Sequence, residues 1–320
     1  MAERSIIDQL DDAVSALLAA REPAVSADRE LTELVVVARE LRGLPSEQFR
    51  AALKEQLGGK DKMSTSTHKS QPKFKREGFH TVTPYIIVKP AVELIDFVKQ
   101  AFGAVESFRA TGSAGGLHCE VKIGDSIVMI GGGPTFDARP AGIHLYVPEV
   151  DEVYARAMAA GATSLGEPAD QEYGERSATV KDVGGNEWYI ATRFDPTPIQ
   201  DLHTVTLCFH PIGAPKFIDF LERAFGAQVV DRYQSDEGLV YYARVRLGDS
   251  IVEMGEAHDQ WQPTHSAIYM YVEDVDATYQ QALRAGATSA LEPTDQPYGD
   301  RNAWVNDEFG NVWYLSTAKG

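Results

Sequence analysis

One phrase occurs twice in the chain. Residues 173–190 read YGERSATVKDVGGNEWYI and residues 298–315 read YGDRNAWVNDEFGNVWYL, and in each a tyrosine, Tyr189 or Tyr314, follows the tryptophan. A phenol of unperturbed pKa about 10 stays neutral at pH 7, so it supplies a stacking face and a hydrogen-bonding tip rather than a charge. The same phrases hold Tyr173 with Arg176 and Tyr298 with Arg301. Such an arginine either offers planar donors to an anionic or carbonyl ligand or closes a tight glycine turn by bonding locally. Imidazoles and carboxylates suited to acid–base or metal chemistry stand in strand-like runs: His118, Glu120, His144, Glu187, His210 and Glu253. Cys119 and Cys208 have no CxxC spacing and read as small buried hydrophobes. No nucleophile–base pair is evident.

The elements that must position these groups also come in duplicate. HTVTPYIIV (80–88) returns as HTVTLCF (203–209), both strand-like. VELIDFVKQAFGA (92–104) returns as PKFIDFLERAFGA (215–227), an amphipathic helix. VKIGDSIVMIGGG (121–133) returns as VRLGDSIVEMGEA (245–257), two strands around a Gly-Asp turn. VDEVYARAMAAGATS (150–164) returns as VDATYQQALRAGATS (275–289), a second helix closed by Gly161 or Gly286. Each copy therefore reads β-α-β-β-β twice, and the nearly constant spacing between copies marks duplication of a whole domain. The expected organisation is a domain over 79–193, a Pro-containing linker over 194–201 and a second domain over 202–317.

Ahead of the copies, apolar residues at spacings of three and four predict short helices within residues 1–57, with Pro23 and Pro45 between them. Residues 58–78 carry the basic, Ser/Thr-rich run KDKMSTSTHKSQPKFKRE (60–77) and read as a flexible solvated linker. The 320-residue chain is long enough for several cored domains. Its net charge of −17 argues against general phosphate-backbone binding, so no nucleic-acid partner is expected. No apolar run approaches the roughly 18–20 residues needed to cross a bilayer, and acidic residues stand where a signal peptide would be apolar. No membrane partner and a reducing cytoplasm are the expectation.

The βαβββ-βαβββ order, with AFGA after the first helix, GDSIVM in the fourth strand and DVGGNEW before the last, resembles the vicinal oxygen chelate superfamily. Its closest branch is the PhnB-like glyoxalase/bleomycin-resistance proteins. The resemblance covers about 79–193 and 202–317 and implies an α+β fold of two tandem domains, each a pair of βαβββ modules curling a sheet around a cavity. In metal-dependent members the ligands come from the first, fourth, fifth and eighth strands. The matching positions here are Thr83 and Thr206, Met129 and Glu253, Gly142 and Ala267, and Tyr189 and Tyr314. Hydroxyl, thioether, hydrogen, methyl and phenol groups are poor replacements for imidazole and carboxylate. Glu253 is the exception, since a glutamate there can be a ligand in the family, but one carboxylate without a partner imidazole is a weak metal site. The resemblance therefore implies a metal-free member that needs no cofactor. The alternative is a displaced site for Ni, Zn, Mn or Fe built from His144, Glu187 and Glu253, with His118 in support.

Strand alternation then predicts aromatic cavities. Tyr85, Tyr146 and Tyr189 are expected in the first; Tyr269, Tyr271 and Tyr314, with Cys208, in the second. Thr83 and Thr206 face the same cavities, and Tyr173 with Arg176 and Tyr298 with Arg301 are placed at their mouths. Trp188 and Trp313 point the other way, into the core, and His80 and His203 read as structural. The favoured function is a receptor for a small, partly aromatic or anionic molecule, without catalysis. The competing one is a metal-dependent lyase, isomerase or dioxygenase. A third reading makes the N-terminal helices a docking module for a protein partner. A pseudo-dimeric monomer is expected, with a homodimer as the alternative.

Overall fold

The computed structural model describes residues 74–318, apart from 112–114, 134–136 and 260. The helices expected within 1–57 and the linker up to residue 73 lie outside the described residues. Four βαβββ modules follow one another. The first is β1 (Val82–Val88), α1 (Ala91–Phe102), β2 (Val105–Thr111), β3 (Leu117–Ile123) and β4 (Ser126–Gly132). The second is β5 (Gly142–Tyr146), α2 (Val150–Ala159), β6 (Thr163–Gln171), β7 (Glu175–Lys181) and β8 (Glu187–Arg193). The third is β9 (Val205–Phe209), α3 (Ala214–Phe225), β10 (Gln228–Gln234), β11 (Val240–Leu247) and β12 (Ser250–Met254). The fourth is β13 (Ala267–Tyr271), α4 (Val275–Ala285), β14 (Thr288–Asp295), β15 (Arg301–Asn306) and β16 (Val312–Thr317). Among the described residues no helix is long and apolar enough to cross a membrane.

The modules pair across the sequence repeat, not within it. One eight-stranded sheet runs β14-β15-β16-β13-β1-β4-β3-β2, joining the first module to the fourth. The other runs β10-β11-β12-β9-β5-β8-β7-β6, joining the second to the third. Each contiguous copy, 79–193 or 202–317, therefore contributes half of each sheet. The seams are antiparallel: β1 on β13, with Thr83 opposite Tyr269, and β5 on β9, with His144 opposite Thr206.

Two reciprocal clamps hold the copies in this exchange. The backbone N–H of Thr204 donates to Asp125 Oδ1 at 2.9 Å and that of Val205 to Ser126 Oγ at 3.0 Å. In mirror fashion Thr81 N–H donates to Asp249 Oδ1 at 2.7 Å and Val82 N–H to Ser250 Oγ at 3.0 Å. The repeated Gly-Asp-Ser turn of one copy thus satisfies the backbone donors that open the His-Thr-Val strand of the other, groups that would be costly to bury unpaired. Only glycine fits at the head of each turn. Gly124 and Gly248 both have φ near +58°, and a Cβ there would fall 2.4 Å from Thr204 Oγ1 or 2.5 Å from Thr81 Oγ1. Between the clamps His80 and His203 stack with ring centroids 3.4 Å apart.

On one face each sheet packs against its helices. Ile86, Val88, Trp188, Ile190, Phe209, Trp313 and Leu315 are among the fully buried residues of that core. The two tryptophans owe their place to the repeated D-x-x-G-N-x-W phrase. Trp188 Nε1 donates to Asp182 Oδ2 at 2.7 Å and Trp313 Nε1 to Asp307 Oδ2 at 2.9 Å. The other oxygen of Asp182 accepts from the backbones of Gly184 and Asn186. Each aspartate is thereby a turn-forming anchor, and burial pushes its pKa up against the pull of those bonds.

The clamp geometry yields a first expectation. Gly124→Ala and Gly248→Ala each lower the unfolding free energy by about 1–3 kcal/mol. Gly166→Ala, whose Cβ would come no closer than 3.9 Å to another residue, stays within about 0.5 kcal/mol. Urea midpoints of the three variants decide it, and equal midpoints would mean that the turns tolerate a side chain.

Candidate functional sites

The faces turned away from the helices carry the chemistry, and alternation assigns their residues. On the β1/β13 sheet Val82 and Ile86, Cys119 and Val121, Ile268 and Met270, and Trp313 and Leu315 belong to the helix-side core. Their neighbours Thr83, Tyr85, His118, Glu120, Met129, Tyr269, Tyr271, Trp304 and Tyr314 therefore share the opposite face. On the β5/β9 sheet the same rule leaves Gly142, His144, Tyr146, Glu187, Tyr189, Thr206, Cys208, Tyr242, Arg244 and Glu253. The expected cavity sets are consequently regrouped. Tyr85 stands with Tyr269, Tyr271 and Tyr314, whereas Tyr146 and Tyr189 stand with Cys208 and Glu253, because modules from different copies complete each face.

The β5/β9 face is centred on Glu253, which is fully buried. Its Oε2 faces His144 Nδ1 at 2.5 Å. Its Oε1 accepts from Tyr146 OH at 2.8 Å and, over a very short contact, from Tyr242 OH. Burial alone would raise the carboxyl's pKa, but the His144 charge and these hydrogen bonds outweigh it and hold the group below the usual glutamate range. Burial alone would lower the imidazole's pKa, and the Glu253 charge reverses that, so His144 is held above the usual histidine range. The two therefore form a buried ion pair crowned by phenols. Tyr242, the second-copy counterpart of His118, is not among the site residues read from the sequence, although a hairpin folded about Gly248-Asp249 sets Arg244 opposite Glu253 and leaves Tyr242 as a diagonal neighbour on the same face.

Beside that pair lies a second cluster. Tyr189 OH donates to Glu187 Oε2 at 3.1 Å and lies 3.1 Å from His210 Nε2. Burial pushes the Tyr189 phenol up and the His210 imidazole down, so both are neutral near pH 7. Trp261 stacks on His210, with centroids 5.3 Å apart, and tilts against Tyr189. Glu187 is also paired with Lys181 at 3.1 Å, and so belongs to this cluster and not to the Glu253–His144 pair.

The β1/β13 face is almost wholly aromatic. Tyr85 meets Tyr314 and His118, Trp304 meets Tyr314, and Tyr269 meets Tyr271 at centroid distances of 5.2–5.6 Å. Its buried carboxylates are Glu120 and Asp300, the latter bonded by Ser316 Oγ at 3.3 Å; at the position of Glu120 the β5/β9 face has Arg244, closed there by Asp231 at 2.8 Å.

Neither arginine of the repeated phrase faces a cavity. Arg176 grips Asp151 at 2.6 and 2.8 Å and Asp170 at 2.8 Å; Arg301 grips Asp276 at 2.5 and 2.8 Å and Asp295 at 3.0 Å. Asp151 and Asp276 open α2 and α4, so each arginine ties a strand to its covering helix. The physical reason is the period of two: Glu175 and Ser177 take the cavity side of β7, which turns Arg176 to the helix side. Tyr173 and Tyr298 are exposed at the preceding turns, where Tyr298 OH accepts from Asn302 at 2.7 Å and Tyr173 OH lies 3.4 Å from Ser177 Oγ.

The residues do not fit a divalent ion in the superfamily manner. The four positions of the β5/β9 sheet hold Thr206, Glu253, Gly142 and Tyr189; those of the β1/β13 sheet hold Thr83, Met129, Ala267 and Tyr314. The single carboxylate, Glu253, already receives three partners. The displaced trio is also split, since Glu187 lies with Tyr189 and Lys181. Among the described residues, only His80, His203 and Asp249 bring three donor atoms within 4.8 Å of one another. There the rings are stacked, His203 Nε2 bonds the Asp249 carbonyl at 2.6 Å and His80 Nε2 the Asp125 carbonyl at 3.1 Å. Parallel rings aim their lone pairs side by side, and the trio reads as part of the clamp.

Comparison with known proteins agrees with this architecture. The family model described as Glyoxalase/Bleomycin resistance protein/Dioxygenase superfamily matches residues 213–315. An uncharacterised protein of Mycobacterium bovis is 37% identical over 122 residues, 34% of this chain and 80% of its own length. A Mycobacterium tuberculosis protein has the same identity over 72% of its length. Among solved structures, glyoxalase I from Zea mays superposes with a TM-score of 0.58 at 14% identity, over 74% of this chain and 92% of its own. A putative dioxygenase from Bacillus subtilis gives 0.52 at 15% identity, over 74% and 84%. At such identities these two structures speak for the fold alone. With the paired βαβββ modules and the matched repeat on record, the chain belongs to the glyoxalase/bleomycin resistance protein/dioxygenase superfamily.

Proposed function

We propose that the protein is a cytoplasmic, metal-independent receptor for a small, partly aromatic molecule, held against the tyrosine-lined face of the β5/β9 sheet. The observation that carries this reading is the state of Glu253. A carboxylate that already accepts from His144, Tyr146 and Tyr242 has little capacity left for a cation or as a free base, but it fixes two phenols and an imidazole in place. Preorganised aromatic rings with a few oriented polar tips favour binding of a flat ligand that stacks and shares hydrogen bonds. Tyr189, His210 and Trp261 extend the same surface. Free thiols at Cys119 and Cys208 suit a reducing compartment. Pairing with an anion through Arg176 or Arg301 is not part of the proposal, since aspartates already hold both.

Quenching of tyrosine and tryptophan fluorescence across a library of small aromatic compounds tests the reading. Ligands found this way are expected to lose about tenfold in affinity, about 1.4 kcal/mol, in Tyr189→Ala or Glu253→Gln. Affinities left unchanged in both variants would sink the proposal. So would stoichiometric nickel, zinc, manganese or iron in the purified protein that disappears in His144→Ala or Glu253→Ala.

The ion pair gives a separate pH expectation. Glu253 is depressed in the fold, so its contribution to stability is present above the ordinary glutamate value and is lost as pH falls through the folded value. His144 is raised, so its contribution is full below the ordinary histidine value and is lost as pH rises through the folded value. Both act together between about pH 4.5 and 6.5. The stability gap between wild type and Glu253→Gln is therefore widest in that window and narrows toward alkaline pH, as denaturant midpoints at several pH values will show. A gap that is flat or grows above pH 8 would contradict the pairing.

A further inference from the structure

We propose that the β1/β13 sheet carries a second, unlike site for a planar organic cation, and that the chain's own Arg76 occupies it as a displaceable stand-in. The inference rests on the receptor reading only in taking these faces as ligand surfaces, and it concerns different residues. Residues 74–79 were expected to belong largely to a solvated linker, but they lie along this face. The carbonyl of Phe74 accepts from Ala318 N–H at 2.9 Å, Lys75 pairs with Asp249, and Phe79 packs with Ile127, Met129 and Tyr271. Between these anchors Arg76 sends Nη1 to Glu120 Oε1 at 2.7 Å and Nη2 to Oε2 at 3.0 Å.

That fork-to-fork pair is asymmetric in a telling way. The Glu120 side chain is 4% exposed and the Arg76 side chain 44%. A carboxylate buried to that degree requires a cationic or strongly donating partner. Its partner, however, arrives from solvent on a flexible stem and can swing back out while Phe74 and Phe79 hold the backbone. His118 Nε2 is 3.6 Å from Glu120 Oε1, too far to replace two parallel hydrogen bonds. The guanidinium also lies over the Phe79 ring, 4.6 Å from its centroid, and its charge opposes the upward push of burial on the Tyr271 phenol. Tyr271 is 1% exposed, and its hydroxyl, which feels the Arg76 charge, forms no well-aligned hydrogen bond among the described residues. A buried carboxylate, an adjoining aromatic face and a hydroxyl within reach of the guanidinium's charge together describe recognition of a flat cation with two or more N–H groups, such as an amidine or a guanidine. The matched position of the other sheet is Arg244, which would repel the same ligand, so the two faces differ in charge preference.

A tethered occupant lowers the apparent affinity of a free one by the fraction of time it fills the site. Benzamidine, with neutral benzamide and anionic benzoate as controls, is titrated by calorimetry into the full chain and its variants. Arg76→Ala is expected to bind benzamidine about tenfold or more tightly than wild type, with no comparable gain for benzamide or benzoate. Arg76→Ala/Glu120→Gln is expected to lose that binding, whereas Arg76→Ala/Gly166→Ala, altered on the other sheet, keeps it. If Arg76→Ala alone is poorly folded, benzamidine must raise its melting temperature more than that of Arg76→Ala/Glu120→Gln. Equal benzamidine affinity in wild type and Arg76→Ala, equal response to benzamide, or binding that survives Glu120→Gln would each overturn the proposal. Because these readouts do not involve Tyr189 or Glu253, failure here and failure of the receptor reading are separable.

Discussion

The arrangement depends on satisfying the first backbone donors of two strands. β1 and β9 each begin with N–H groups at the junction between sheets; those of Val82 and Val205 are buried, where an unpaired donor costs about 1–3 kcal/mol. The aspartate and serine of a Gly-Asp-Ser turn meet that demand, but they come from the opposite copy. Once these reciprocal bonds form, the first and third modules are fastened together at their strand ends. The His80–His203 stack then fills the space between the two turns.

Within that frame the two sheets have diverged at a few positions while keeping the same scaffold. Where one has Met129, the other has Glu253; where one has Glu120, the other has Arg244. Each charge has acquired its own neutralising neighbour: His144 with two phenols for Glu253, Asp231 for Arg244, and Arg76 for Glu120. Charged groups buried at a sheet face persist only when so paired. The partner chosen decides what the face offers. A partner fixed on a neighbouring strand gives a rigid polar wall, whereas a partner on a side chain reaching in from residues 74–79 gives an exchangeable one.

Much of this was legible in the sequence. The periods of 3.6 and two located α1 to α4 and the strands, and the same alternation sent Trp188 and Trp313 to the core and the neighbouring tyrosines to the far face. The module exchange was not legible, for a physical reason. Both copies contain the same His-Thr-Val strand and the same Gly-Asp-Ser turn, so pairing within a copy and pairing between copies satisfy the same groups. The role of Arg176 and Arg301 turned on one residue of register, since a slip of one along a strand exchanges cavity for helix. Arg76 was hidden by its surroundings: lysines, serines and threonines before it look like a tether, and only the buried Glu120 some forty residues later gives it a destination.

Because each sheet is assembled from both repeats, the duplicated halves are not two spare versions of one face. Neither half could be deleted, swapped or allowed to drift without altering both sheet faces at once. Selection acting on either face therefore constrains the whole 79–317 span, and the two unlike faces must be inherited as a unit.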